Sequence, residues 1–232
     1  MLSTLMYDIS ILADPSRAKH SARFFKTKKG EYGAGDTFVG LTVPQVRGIA
    51  KKYKNLSFSD IEELLQSPIH EYRLCALIIL VNRSKNATLS DLTRLKKFYL
   101  KNKKYINNWD LVDASAHHIL GKWCFLTKND EVLKTLAHSD QLWDKRIAMV
   151  ATFAYIRNCE LEIVFTVANI LLHDSHDLIH KAAGWMLRET GKRDVRALEN
   201  FLNVNAETMP RTALRYSLEK FPPEKRKLYM NK

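Results

Sequence analysis

The chain has 232 residues, with 37 Lys and Arg against 25 Asp and Glu, and a formal net charge of +12. Hydrophobic residues make up 46%, which excludes a disordered chain, and eight Gly with six Pro are too few for an all-β protein with a tight turn at each strand end. The excess positive charge is spread along the sequence rather than gathered in a tail, so it points to a polyanionic partner, nucleic acid first, with a merely basic globular protein as the alternative.

From the start of the chain, Met1 to Ala13 is apolar in part but carries Asp8 and lacks a basic leading segment, so it reads as a poor signal peptide. Lys29 to Gly40 is the one Gly-rich loop, with Gly30, Gly33, Gly35 and Gly40. No Lys-Ser/Thr pair follows it, which argues against a nucleotide-phosphate loop. Beyond it the dominant period is helical: Ile61, Leu64 and Leu65 share a face, as do Leu92, Leu95, Lys96 and Tyr99. Helix starts are signalled by Thr42 before Val43-Pro44, by Ser57 and Ser59 before Asp60, and by Ser90-Asp91. Gly121, Gly191 and Pro222-Pro223 read as helix stops. The longest apolar runs, such as Leu77 to Val81, are too short to span a bilayer. Cys75, Cys124 and Cys159 are far apart and contain no CxxC pair, so neither a zinc site nor a disulfide framework is suggested. A soluble protein of a reducing cytoplasm, without metal or cofactor, is expected.

A repeat emerges when the start of every second helix is aligned. The segments begin Glu71-Tyr-Arg, Trp109-Asp-Leu, Asp144-Lys-Arg, His180-Lys-Ala and Pro210-Arg-Thr. Taking Arg73, Asp110, Arg146, Lys181 and Arg211 as equivalent gives offsets of 37, 36, 35 and 30 residues, the size of a two-helix repeat. The expected fold is therefore all-α: an α-solenoid of antiparallel HEAT-like helix pairs, in one superhelical domain covering residues 1–232. Four of the five equivalent positions are basic and stand at a helix start, where backbone N–H groups already favour anions. Stacked together they would make a stripe spaced for successive phosphates. The alternative is that these cations pair with acids on neighbouring helices, such as Glu71, Asp144 or Asp177.

One repeat breaks the stripe. There the equivalent residue is Asp110, flanked by Trp109 and followed by Asp113, which lies four residues from Trp109 on the same helical face. Trp185, among Ala182, Ala183 and Gly184, is a second indole with small neighbours that permit close approach. Two indoles and a carboxylate suit a cationic ligand, although a Trp is more often core and an Asp often a helix cap. An N7- or N3-alkylated purine is such a cation. Its glycosidic bond is weakened because the base leaves neutral, and positive charge moves onto the deoxyribose in the transition state. A carboxylate near C1′ would stabilise that charge and orient water. His117, four residues beyond Asp113, either tunes its pKa or is structural, as is its neighbour His118. His173, Asp174, His176, Asp177 and His180 look like a metal cluster, but they straddle a loop and helix start where capping residues are expected.

At these residues the chain resembles the AlkD-type DNA alkylation repair glycosylases, a HEAT-like family. The matching motifs are Gly30-Glu-Tyr-Gly-Ala-Gly-Asp36 with Val39-Gly-Leu-Thr-Val-Pro44, Asn107-Asn-Trp-Asp-Leu-Val-Asp113, Leu142-Trp-Asp-Lys-Arg-Ile-Ala148, His176 to Lys192, and Met209-Pro-Arg-Thr-Ala-Leu-Arg-Tyr216. They occur in order over nearly the whole chain. The resemblance implies a monofunctional glycosylase that releases N7- and N3-alkylated purines from double-stranded DNA. It implies Asp113 as the catalytic carboxylate, with Trp109 and Trp185 as its aromatic partners and Arg146 as a backbone contact beside the lesion. Lys145, Lys181, Arg188, Arg211, Arg215 and Arg73 complete the expected DNA-binding set, on a monomer by default. The alternative function is a non-catalytic helical-repeat scaffold that binds DNA or RNA.

Overall fold

Capping side chains decide where most helices begin. Thr42 closes a reciprocal capping box with Gln45 ahead of Val43 and Pro44, and the Ser57 side chain accepts the Asp60 N–H at 3.1 Å. At the third predicted start the cap is Thr88, two residues earlier than expected, because its hydroxyl accepts the Asp91 N–H at 3.2 Å. The computed structural model describes residues 1–231, and among them helices are the only regular structure apart from one isolated parallel bridge, Thr37 with Ile69. The architecture is all-α and of the HEAT-like α-solenoid class.

The chain divides into two compact units, residues 1–115 and residues from Ala116 onward. The first contains α1 (Leu2–Ser10), α2 (Pro15–Phe24), α3 (Val43–Lys52), α4 (Phe58–Gln66), α5 (His70–Ser84), α6 (Leu89–Lys101), a 3-10 turn (Lys103–Tyr105) and nearly all of α7 (Trp109–Ala116). Helix α5 is its centre. It is buried almost all round, with Leu74 to Val81 in one continuous run, and α3, α4 and α6 pack on it. A helix apolar on every side has to be enclosed on every side.

The second unit starts with a π-helical turn (His117–Gly121). It continues through α8 (Lys122–Thr127), α9 (Glu131–Ala137), α10 (Leu142–Ala151), α11 (Phe153–Ile156), α12 (Glu162–Leu171), α13 (Asp177–Gly191), α14 (Val195–Asn205), α15 (Arg211–Ser217) and α16 (Pro223–Met230). Here the repeat read from the sequence is plain. Helices α9 and α10 pair, α12 and α13 pair, and α13 packs on α10, α14 and α15.

Two punctuation marks turn out differently from expectation. Gly121 does not stop a helix: it has ordinary right-handed dihedrals, and the chain runs through it from the π-helical turn into α8. Its role is steric, since a Cβ there would lie 2.1 Å from the Ala151 carbonyl oxygen of α10. Pro222 and Pro223 open α16 instead of ending α15, with Pro223 in the first helical turn, where no amide hydrogen is needed. Gly191 does end α13.

Candidate functional site

In the first unit the candidate residues converge on α7. Asn108 precedes the helix, fully buried, and its side-chain oxygen accepts the Trp109 N–H at 2.9 Å. Trp109 and Asp113 follow, each half-buried, one turn apart on the same face. Behind them Ser115 fixes the helix to α6: its hydroxyl is 3.1 Å from that of Tyr99 and donates to the Leu111 carbonyl at 2.6 Å. Burial pushes the Tyr99 phenol well above its ordinary value, and the Asp113 charge adds to the shift. Asp113 is therefore close enough to α6 to be felt electrostatically inside the unit.

Trp109 is held by a cluster of rings. Phe25 stacks on it at 5.1 Å, and Phe24 meets it edge-on at 5.7 Å. Phe25 in turn lies 5.0 Å from the His70 ring, with Phe38 4.6 Å from the same imidazole. Imidazolium and phenyl faces attract one another, so these contacts favour a charged His70. His70 also bridges two carboxylates, with Nδ1 3.0 Å from Asp36 Oδ2 and Nε2 2.8 Å from Asp110 Oδ2. Burial alone would lower its pKa, but the hydrogen bonds to Asp110 and Asp36 outweigh it and push the value up to about 9. Burial works to raise Asp36, yet the His70 hydrogen bond and the Arg73 guanidinium hold it below its ordinary value. A buried chain of alternating charge thus runs from Asp36 through His70 to Asp110, in the first turn of the helix that carries Trp109 and Asp113.

The Gly-rich loop serves this network. The backbone at its end is pinned to α5: Glu71, buried at the start of that helix, accepts from Gly40 at 2.8 Å, Val39 at 3.1 Å and Leu41 at 3.3 Å. Gly33 must be glycine, because a Cβ would meet the Phe25 carbonyl oxygen at 2.3 Å. The loop so pinned delivers Asp36 and Phe38 to His70. Sequence reasoning missed this set. The signal available was His70 itself, one residue before the repeat segment that begins at Glu71, with Phe24-Phe25 and Phe38 on either side of Gly30, Gly33 and Gly35.

In the second unit Trp185 is half-buried on α13, beside Phe153 with ring centroids 6.1 Å apart. The small neighbours noted in the sequence have a specific use. A Cβ at Gly184 would lie 2.5 Å from Tyr216 Cβ and 2.6 Å from the Ala213 carbonyl oxygen, so this glycine lets α15 close against α13. Phe153 also carries the Arg157 guanidinium over its face at 4.8 Å and meets the edge of His117 at 5.3 Å.

The basic register does not form the uniform surface stripe expected. Arg73 is 5% exposed, and its Nη2 lies 2.5 Å from Asp36 Oδ2, an ion pair by distance that is not aligned as a hydrogen bond. Arg146 is equally buried and donates to the Leu178 carbonyl at 2.6 Å. Lys181 pairs with Asp177 at 2.7 Å, one turn back on the same helix and not on a neighbouring one. Lys145 pairs with Asp174 at 2.7 Å, and Arg188 with Glu189 at 3.1 Å and with Glu219. Arg211 is exposed and donates to the Met230 carbonyl, while Arg215 is exposed and makes no ion pair among the described residues. Arg73 and Arg146 are thus buried side chains with partners inside the protein: a guanidinium at a helix start can satisfy a buried acid or carbonyl as readily as a phosphate.

The His173 to His180 segment has structural work. Asp174 accepts the His176 N–H at 2.7 Å and holds Lys145, and the carbonyl of Asp174 meets His180 Nε2. His176 caps α13 by accepting the Leu178 N–H through Nδ1 at 3.1 Å, which requires that nitrogen to be unprotonated, and burial shifts its pKa downward accordingly. No described helix is long and apolar enough to cross a membrane.

Comparison with known proteins agrees with this architecture. The family model for DNA alkylation repair enzymes matches residues 5–221. A solved structure described as a predicted DNA alkylation repair enzyme from Enterococcus faecalis superposes with a TM-score of 0.70 at 18% identity, covering 91% of this chain and 97% of that one. No curated protein matches the sequence.

Proposed function

Because the chain belongs to the DNA alkylation repair enzyme family, we propose that it is a monofunctional DNA glycosylase of the AlkD type, acting on cationic N7- or N3-alkylated purines in duplex DNA. The observation that carries the reading is the pairing of Asp113 with Trp109: a half-buried carboxylate one helical turn from an indole whose ring is fixed by Phe24 and Phe25.

The chemistry follows from charge. An alkylated purine carries its positive charge into the site, where the Trp109 face attracts it. As the C1′–N bond lengthens, the base becomes neutral and the sugar takes on oxocarbenium character. Asp113 gains interaction energy as that charge grows, which lowers the barrier instead of merely tightening binding. A carboxylate oxygen also orients the water that attacks C1′, and the bond breaks with no redox step. From the resemblance, Trp185 is assigned a second aromatic face. Arg146, Lys145, Lys181, Arg188, Arg211, Arg215 and Arg73 are assigned to the DNA backbone, with residues 1–232 acting as one domain.

The test is direct. Purified protein incubated with methylated duplex DNA should release free 7-methylguanine or 3-methyladenine, detected by chromatography. Salt-dependent binding with no released base would sink the glycosylase reading and leave a nucleic-acid scaffold.

A further inference from the structure

The π-helical turn at the start of the second unit gathers basic side chains that the proposed chemistry does not use. His117, His118, Lys122 and Arg157 line one cavity of about 160 Å³, together with Asn158, Phe125 and Ala154, and the lining contains no Asp or Glu. The turn creates this grouping. The Lys122 N–H bonds to the His117 carbonyl five residues back, so the wider helix sets Lys122 over His117, where an α-helical turn would rotate it away. The two imidazoles sit with centroids 3.9 Å apart. Gly121 locks the turn against Ala151, since no side chain fits between them. π turns are energetically poor and concentrate at functional sites.

We infer that this cavity seats one backbone phosphodiester of the DNA strand. Its charged lining, an ammonium and a guanidinium beside two imidazoles and no acid, suits a tetrahedral oxyanion better than a neutral base edge. The volume admits one phosphate, not a run of stacked bases. The location also fits a nucleotide: a single ring, Phe153, touches Arg157, His117 and Trp185. A phosphate held here places the attached sugar and base toward Trp185. The inference rests on the glycosylase reading for its polymer and on the cavity for its phosphate.

A methylphosphonate scan tests it. Duplexes carrying one abasic analogue, with phosphates replaced singly by neutral methylphosphonates, are titrated against the wild type and against Arg157→Gln and Lys122→Gln. Arg157 is exposed, so its variant should fold, and melting curves check both. One phosphate near the abasic position should matter about tenfold to the wild type and hardly at all to either variant. The slope of log affinity against log salt should fall by about one in each variant. Equal responses of wild type and variants at every phosphate would overturn the pocket. So would competition by inorganic phosphate at the cavity without coupling to any internal phosphate, which would make it a site for free anions. Failure of the pocket alone leaves alkylbase release intact in the wild type. Failure of the glycosylase reading shows instead as no release.

Discussion

The two candidate indoles, one in each unit, are held by different physics. Trp109 is stacked on Phe25, which leans on an imidazole strung between Asp36 and Asp110. Trp185 rides on α13, whose closeness to α15 depends on a missing Cβ at Gly184. One is positioned by buried charge, the other by shape. A charge network can be tuned and can be broken by pH, whereas a steric fit ignores pH and fails only when volume changes. The comparison therefore predicts which conditions and substitutions loosen which part.

The largest effect should come from His70→Leu. Removing the shared cation leaves Asp110 without its imidazole partner and Asp36 with Arg73 and the Asn108 amide, and breaking such a buried pair costs about 3–5 kcal/mol. Urea unfolding at neutral pH measures it, and His70→Gln, which keeps one amide donor, should fall between. Trp109 fluorescence in a variant lacking the other tryptophans should change as well; an unchanged signal would detach the network from the indole.

A related effect appears in the wild type as a function of pH. His70 has a folded value of about 9 against an ordinary 6.5, so its contribution is complete below about 6.5 and is lost as pH rises through about 9. That window is worth on the order of 3 kcal/mol. Asp36 acts in the opposite sense: its lowered pKa gives stability above its ordinary value of 3.8 that disappears as pH falls below it. Both are faces of one ion pair and are not summed. Stability measured from pH 6 to pH 10 should decline in the wild type and stay nearly flat in His70→Leu.

Gly184→Ala comes next. The new methyl would press on Tyr216 Cβ and the Ala213 carbonyl, and overpacking of that kind costs about 1–3 kcal/mol. Unlike the His70 effect, it should be the same at pH 6 and pH 9. The smallest change should be Tyr99→Phe. It removes one buried hydrogen bond while Ser115 keeps its bond to Leu111, a loss of about 1 kcal/mol.

Much of this was legible in the sequence, and the gaps have physical causes. Helical periodicity, caps and the repeat markers are local, so α4, α5, α10 and α13 follow from the sequence alone. The Trp109–Asp113 spacing fixes a common helical face, which needs only the helix. Partner choice is not local. Nothing in the sequence says that Arg73 turns inward to Asp36, 37 residues earlier, or that Arg146 spends its guanidinium on a carbonyl. Nor does Gly121 announce whether it ends a helix or admits a neighbour, because both uses need the same absent Cβ. The π turn was equally hidden, since its extra residue shows only when side chains five apart line up.

The central claim is that Asp113 acts on the transition state and not on the fold. Single-turnover release of 7-methylguanine by Asp113→Asn, read beside the affinity of the same variant for duplex DNA, tests it most directly. The expected result is release at least about 100-fold slower, with affinity equal or higher because a negative charge has left the proposed DNA-contacting surface. Release at the wild-type rate, or a fall in affinity and melting temperature that accounts for the lost activity, would contradict it.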